Sequence, residues 1–354
     1  EEADQSASGR SCNDEFGCNG LSSPVLVDNN EDGIIDYGYG GDLVGNLWKF
    51  DFSSGDIYGA DGYVVAFNDS SDLDIEGRPA PRPLISVRDK QGKSQPITTE
   101  PTVTPPCAGA GEGMMVLFGT GWLDPTADSG SDTQSIYGIW DWQNFWRLHP
   151  DYSIDPMTSY YGEIGPVIES GARHLSNLSN VLASAEAERI GLLEQSQQSF
   201  VGLNYFTALD NQVMAGQVSS GETKAIVDDP DDFTSYDQVV RTLSTHRINW
   251  FSPDMLADGS FQTSHLGWFF DLPFADEQLA SDPSVLDGVL YYSTSLWSES
   301  SCGIEGANRM VMAHDSCSGG AAEPIVFDLN GDEIMSSADT VALYKTDGSV
   351  DGRQ

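Results

Sequence analysis

Short apolar runs, each closed by glycine, serine or threonine and followed by a second alternating run, recur along this chain. Tyr37-Gly38-Tyr39-Gly40-Gly41-Asp42 leads into Gly45-Asn46-Leu47-Trp48-Lys49-Phe50-Asp51. Val116-Leu117-Phe118-Gly119-Thr120-Gly121 leads into Ser135-Ile136-Tyr137-Gly138-Ile139-Trp140-Asp141. Val289-Leu290-Tyr291-Tyr292-Ser293-Thr294 leads into Arg309-Met310-Val311-Met312-Ala313-His314-Asp315. Each unit predicts an apolar strand, a Gly/Ser/Thr turn, a second alternating strand and a closing Asp, which is how the blade of a β-propeller reads. An ordinary meander or sandwich is the alternative. The fold class expected is all-β: a modified β-propeller, incomplete or whole, with a helix-containing insertion and calcium-binding loops.

Residues 1–20 are polar and without periodicity, and read as a flexible lead-in. The propeller region is expected over 21–322, with an insertion at 144–240. A C-terminal segment, 323–354, holds a further strand pair. Within the insertion, Ser179 to Leu193 has helical composition. Apolar residues at 182, 185, 189–190 and 192–193 form a partial stripe, which predicts one amphipathic helix.

The turns carry the chemistry. In Asp28-Asn29-Asn30-Glu31-Asp32-Gly33-Ile34-Ile35-Asp36, oxygen donors alternate at offsets 1, 3, 5 and 9 as Asp28, Asn30, Asp32 and Asp36. The Ile34 carbonyl falls at offset 7. That is the donor order of a Ca²⁺ loop, since a hard cation takes six to eight oxygens at about 2.3–2.6 Å, and Gly33 supplies the sharp turn. The flanks Val25-Leu26-Val27 and Tyr37-Gly38-Tyr39 read as strand, and offset 12 is Tyr39 rather than Glu. A second loop places Asp328, Asn330, Asp332, Ile334, Ser336 and Asp339 at offsets 1, 3, 5, 7, 9 and 12. It resembles the calcium loop of dockerin modules, which also closes with Asp. Glu333 stands where the turn prefers Gly, so weaker binding is expected.

Charge narrows the partners. The chain has 354 residues, 16 Lys plus Arg against 55 Asp plus Glu, and a formal charge of −39. A duplex or an anionic membrane surface would repel it, which argues against nucleic-acid binding. The acid is spread through turns, which suits a calcium-rich or salty medium, a halophilic source included. No apolar run approaches the ~20 residues of a membrane-spanning helix. Glu1-Glu2-Ala3-Asp4 has the wrong charge for a signal peptide, so the chain reads as a processed product or a fragment.

Cys12, Cys18, Cys107, Cys302 and Cys317 contain no C-x-x-C spacing, against zinc ribbons and thioredoxin-like redox. Cys302 and Cys317 flank a predicted hairpin and are expected to pair, closing a loop of about fifteen residues at about 3 kcal/mol. Cys12 with Cys18 is a weaker pair. Cys107 is left over: reduced, bonded to an absent segment, or an alternative partner for the N-terminal cysteines.

Taken together, these residues resemble the PilC/PilY family of type IV pilus tip-associated adhesins. The likeness rests on Asp28 to Asp36 running into Tyr37-Gly38-Tyr39-Gly40-Gly41-Asp42-Leu43-Val44-Gly45-Asn46-Leu47-Trp48-Lys49-Phe50-Asp51. It continues in Pro96-Ile97-Thr98, Phe118-Gly119-Thr120-Gly121 and Asp132 to Asp141, then in Gly267-Trp268-Phe269-Phe270-Asp271-Leu272, Ser281-Asp282-Pro283, Cys302, and Phe327 to Asp332. The resemblance implies a modified propeller with a calcium loop, carried extracellularly at a pilus tip. It also implies minor pilins as partners, calcium-dependent control of extension against retraction, and roles in adhesion and twitching motility. Family members carry a large N-terminal region that has no counterpart here, so recognition of a surface or host receptor finds no support in these residues.

Two other functions compete. A quinoprotein dehydrogenase is also a calcium-binding, Trp-rich propeller, but its cofactor needs a base and a cation near the quinone. Lys and Arg are scarce here, and neither loop has donors to spare. A sugar-binding propeller would draw on Trp48, Trp122, Trp140, Trp142, Trp146, Trp250, Trp268 and Trp297 as stacking faces. Hydrolase signals are missing: the five histidines form no H-E-x-x-H, and no G-x-S-x-G occurs. The expected function is therefore non-catalytic.

Overall fold

The computed structural model describes residues 19–53, 65–73, 77, 79–122, 133–142, 160–167, 172–178, 188–203, 223–225, 238–252, 263–274, 277–300, 303–322, 334, 341–344 and 350–353. The elements named among them are all strands. In chain order they are β1 (Val25–Val27), β2 (Tyr37–Gly41), β3 (Asn46–Asp51), β4 (Phe67–Leu73), β5 (Pro79–Arg82), β6 (Ile85–Ser86) and β7 (Thr102–Thr104). Then come β8 (Met114–Gly119), β9 (Ser135–Asp141), β10 (Gly162–Val167), β11 (Ala172–Leu175), β12 (Ile190–Gln195), β13 (Gln197–Leu203), β14 (Thr223–Ala225) and β15 (Gln238–Leu243). The last are β16 (Ser264–Asp271), β17 (Glu277–Leu279), β18 (Ser284–Leu286), β19 (Val289–Ser300), β20 (Gly303–Asp315), β21 (Val341–Tyr344) and β22 (Val350–Arg353).

The chain divides into two compact units. The first holds residues 1–194, 247–312 and 316–319, and the second 195–246, 313–315 and 320–354. In the first unit an 11-stranded sheet runs β1-β2-β3-β6-β10-β11-β12-β16-β9-β8-β7. Its two ends, β1 and β7, approach one another, so the sheet is nearly closed. The three strand–turn–strand units of the sequence are hairpins: β2 pairs β3, β8 pairs β9, and β19 pairs β20.

Strands β8, β9 and β16 are buried on both faces, which is why Met114–Gly119 and Ser264–Asp271 read as nearly unbroken apolar runs. Phe118, Tyr137 and Phe269 stack across them, with centroids 5.2 and 6.2 Å apart. Register sets Trp268 opposite Gly138. The missing Cβ of Gly138 makes room for the indole, because a methyl there would overlap the ring. Burial pushes the Tyr137 hydroxyl well above its ordinary pKa, and that hydroxyl donates to Gln95 Oε1.

Two expectations need correcting. Ile190 to Leu193, the end of the expected amphipathic helix, is strand β12, paired antiparallel with β11 through Ala172↔Leu193 and His174↔Gly191. The apolar residues that looked helical instead fill a strand buried on both faces. Gly191 lets the Arg173 carbonyl approach closely, which any Cβ would prevent. Residues 179–187 lie outside the described residues.

The second correction is the disulfide. Cys317 bonds Cys107, with Cα atoms 5.6 Å apart, and not Cys302. Proximity in sequence favoured Cys302, but the turn after β20 carries Cys317 beside the β7–β8 connection. Cys302, Cys12 and Cys18 lie outside the described residues.

The second unit contains the antiparallel pair β13–β15 and the sheet β14-β21-β22. The Gln195 side chain organises one of its turns, accepting from Ser244 Oγ and the His246 amide while donating to the His246 carbonyl.

Buried His265 in the first unit yields a pH prediction. Its Nδ1 accepts the Asn249 amide at 2.9 Å, and burial pulls its pKa down to about 4. The folded state thus binds the proton less readily than the unfolded chain. His265 contributes its full stabilisation above about pH 6.5 and loses it as pH falls through about 4. The residue is 6% exposed, so the effect is on the order of 3 kcal/mol. His265→Asn, whose Oδ1 can accept the Asn249 amide in place of the ring Nδ1, should flatten the fall in urea midpoint across that window relative to the parent. Identical pH profiles for the two would refute it.

Candidate metal-binding loop

Val27↔Tyr37 is the last β1–β2 pair, so residues 28–36 close a hairpin and both ends of the loop are anchored in the sheet. The anchoring continues into the loop, where the Asp36 amide donates to the Val27 carbonyl at 2.8 Å. The Asp36 carbonyl in turn accepts the Phe52 amide at 2.7 Å, beyond β3.

Inside the loop, carboxylate and amide oxygens gather the backbone N–H groups. Asp28 Oδ2 accepts from Gly33 at 2.7 Å and Oδ1 from Asp32 at 3.2 Å. Asn30 Oδ1 accepts from Asp32 at 2.9 Å, Asp32 Oδ1 from Ile34 at 2.8 Å, and Asp36 Oδ2 from Asn29 at 2.9 Å. Each of the four oxygen-bearing side chains named in the sequence thus accepts at least one amide of the loop itself. The backbone does this by entering the left-handed region at Glu31 (φ 60°) and Gly33 (φ 87°). Nothing lies within 4 Å of a Cβ built on Gly33, so its positive φ, not crowding, is why glycine stands there.

The oxygens named each accept one N–H group and keep lone pairs in reserve, and Asp28 and Asp36 are only half-buried. The Ile34 side chain points to solvent, 66% exposed. Among the described residues no three His, Cys, Asp or Glu side chains are drawn into one cluster that could hold a metal ion. The donor set still fits a hard cation, because Asn30 and the Ile34 carbonyl complete an oxygen-only list with Asp28, Asp32 and Asp36.

Of the second loop, Asp328, Asn330, Asp332, Ser336 and Asp339 lie outside the described residues. Ile334 is described and is 64% exposed.

Two further buried polar centres were not singled out in the sequence as sites. Buried Asp42 accepts from the Val44 and Asn46 amides, from Asn46 Nδ2, from Trp48 Nε1 at 2.8 Å and from Asn19 Nδ2. It accounts for the spacing Gly41-Asp42-Leu43-Val44-Gly45-Asn46-Leu47-Trp48, with Gly45 at φ 81° pressed against the Val87 and Gln95 carbonyls. Lys49 and Asp141 form a buried ion pair. The only signal for that pair was the closing Asp of the second hairpin.

Trp140, Trp142, Trp250 and Trp268 are buried. Trp140 meets Trp142 and Trp250 edge-on at 5.9 and 5.8 Å, which makes them core and not stacking faces. Trp122 is 44% exposed. No helix among the described residues is long and apolar enough to cross a membrane.

Comparison with known proteins places this geometry. Residues 11–147 match the model of the PilY1 beta-propeller domain. The type IV pilus biogenesis factor PilY1 of Pseudomonas aeruginosa is 29% identical over 346 residues, covering 95% of this chain and 24% of the relative. A PilY1 homolog from Xylella fastidiosa is 37% identical over 127 residues, covering 36% of this chain and 8% of the relative. The chain therefore spans about a quarter of the length of the Pseudomonas aeruginosa relative. The crystal structure of the Pseudomonas aeruginosa PilY1 C-terminal domain shares the fold, with a TM-score of 0.55 at 22% identity over 95% of this chain and 55% of that one.

Proposed function

We propose, from the premise that this chain belongs to the PilC/PilY family, that it is the calcium-binding propeller region of a non-catalytic type IV pilus biogenesis factor. It would work at the pilus tip on the cell surface, with minor pilins as partners and roles in adhesion and twitching motility. The single observation that carries the calcium reading is the oxygen-only sequence Asp28, Asn30, Asp32 and Asp36 on one tight loop whose two ends are anchored in the sheet. A Ca²⁺ ion there would neutralise three carboxylates confined to one turn, holding β1 on β2. The second loop, Asp328 to Asp339, is proposed as a weaker site of the same kind.

A non-catalytic role is supported by what the buried ionisable groups do. His265 accepts a backbone amide, Glu277 accepts from Thr294 Oγ1, and Asp141 is paired with Lys49. The burial of Trp140, Trp142, Trp250 and Trp268 withdraws four of the eight candidate indoles from a sugar-binding reading.

Asp32→Ala is expected to weaken calcium binding at the first loop by at least about 100-fold. Calorimetry reads this directly when Asp332→Ala has silenced the second loop. Undiminished affinity would sink the calcium reading. Removing calcium with a chelator should raise amide exchange in Val25 to Tyr39 before the rest of the sheet. For the pilus reading, a pull-down of minor pilins that is abolished by the same Asp32→Ala change is the expected result. Loss of calcium binding with full pilin capture would separate the two proposals.

A further inference from the structure

Lys49 on β3 and Asp141 at the end of β9 are in contact at 2.7 Å, with side chains 5% and 1% exposed. Their strands are not neighbours in the sheet, so no ladder joins them. Around the pair the walls are aromatic: the Lys49 ammonium lies 4.7 Å from the Tyr37 ring centroid and 5.8 Å from that of Phe67. The Tyr39 hydroxyl donates to the same Asp141 oxygen, Oδ2, at 2.6 Å. Oδ1 is buried and has no hydrogen-bond partner among the described residues.

This is a poor resting place for a salt bridge. Taking two charges out of water costs several kcal/mol per ion, and good geometry offsets that only when the remaining lone pairs are satisfied. Here one carboxylate oxygen is left bare. What the pocket does offer is an amine and a carboxyl carbon held together out of water, the arrangement in which intramolecular reactions gain most from proximity. Nζ touches an oxygen bonded to Cγ, and the Tyr39 hydroxyl donates to that same oxygen, the atom that would leave.

We propose that Lys49 and Asp141 condense into a side-chain amide that cross-links β3 to β9. The ammonium passes one proton to Oδ2, and the Nζ lone pair attacks Cγ. A second proton moves from Nζ to Oδ2, the Cγ–Oδ2 bond breaks, and Oδ2 departs as water past the Tyr39 hydroxyl. Nζ keeps one hydrogen, Oδ1 becomes the amide carbonyl, and both charges disappear. The ammonium's two surplus hydrogens and the carboxylate oxygen make the water, so no oxidant, reductant or cofactor is required. Oδ1, bare as part of an anion, is cheaper to bury as a neutral carbonyl.

Intact mass spectrometry of the full chain, denatured and with disulfides reduced, is the test. The expected mass is one water below that of the sequence, and digestion should yield a branched peptide joining the segments that contain Lys49 and Asp141. Lys49→Arg keeps a cation but lacks the reacting amine, so that variant should have its full sequence mass. If the folded parent has its full sequence mass, and the two segments are recovered separately, the pair is only an ion pair and the proposal is overturned. That reading needs no variant to fold.

Discussion

Breaking the Cys107–Cys317 bond is expected to lower the unfolding free energy by about 5 kcal/mol. The two cysteines are separated by 210 residues, and closing so long a loop removes a large share of the entropy of the unfolded chain. Cys107 is buried at 6% exposure, so its replacement must be small, and the double change Cys107→Ala with Cys317→Ala leaves no stray thiol from this pair. Urea midpoints of the parent with and without reductant, and of the double variant, should agree with one another on the size of the loss. Peptide mapping without reductant should recover Cys107 linked to Cys317. A Cys302–Cys317 peptide, or a stability loss under about 1 kcal/mol, would contradict the account.

Trp268→Ala should cost about 4 kcal/mol. The indole is fully buried, lies against Gly138 of the neighbouring strand, and is also closely approached by Gly319 at φ 69°. Its Nε1–H donates to the Ser316 carbonyl at 3.1 Å. Removing it opens a cavity in the β9–β16 layer and frees the turn that presents Cys317. The two losses are therefore coupled. In a double-mutant cycle with the cysteine pair, an interaction of about 1 kcal/mol or more is expected, against near-additivity for sites without shared contacts. Simple additivity would mean that the turn is held by something other than Trp268.

What could be read in the sequence follows from how far apart the cooperating residues stand. The turn from Asp28 to Asp36 between two strands was legible because its nine residues are consecutive and Gly33 dictates the bend locally. Only the positive φ of Glu31 was not foreseen. The hairpin β2–β3 was legible for the same reason, its strands being joined by residues 42–45, whereas β8 and β9 were legible from their apolar runs although residues 120–134 separate them. Gly138 and Trp268 form a contact that no periodicity encodes, since their strands are joined through distant chain. The disulfide misled because neighbouring cysteines look like partners until the fold brings Cys107 round to Cys317. At Ile190 to Leu193, an apolar run with a glycine fits a buried strand as well as a helical stripe, and only pairing with β11 decides between them.

The position of that disulfide has a mechanical corollary. A chain pulled from its two ends transmits tension along the shortest covalent path, which runs from Cys107 through the sulfurs to Cys317. Everything between them is bypassed, the whole of β8 to β20 included. At about 3.4 Å per extended residue, roughly 700 Å of contour length is thereby withheld from extension. Under load only the segments before Cys107 and after Cys317 can lengthen, among them the hairpin that carries the Asp28 to Asp36 loop. In a force ramp that loop would feel the pull directly, while the buried layer around Trp268 would feel it only after the sulfur bridge is reduced.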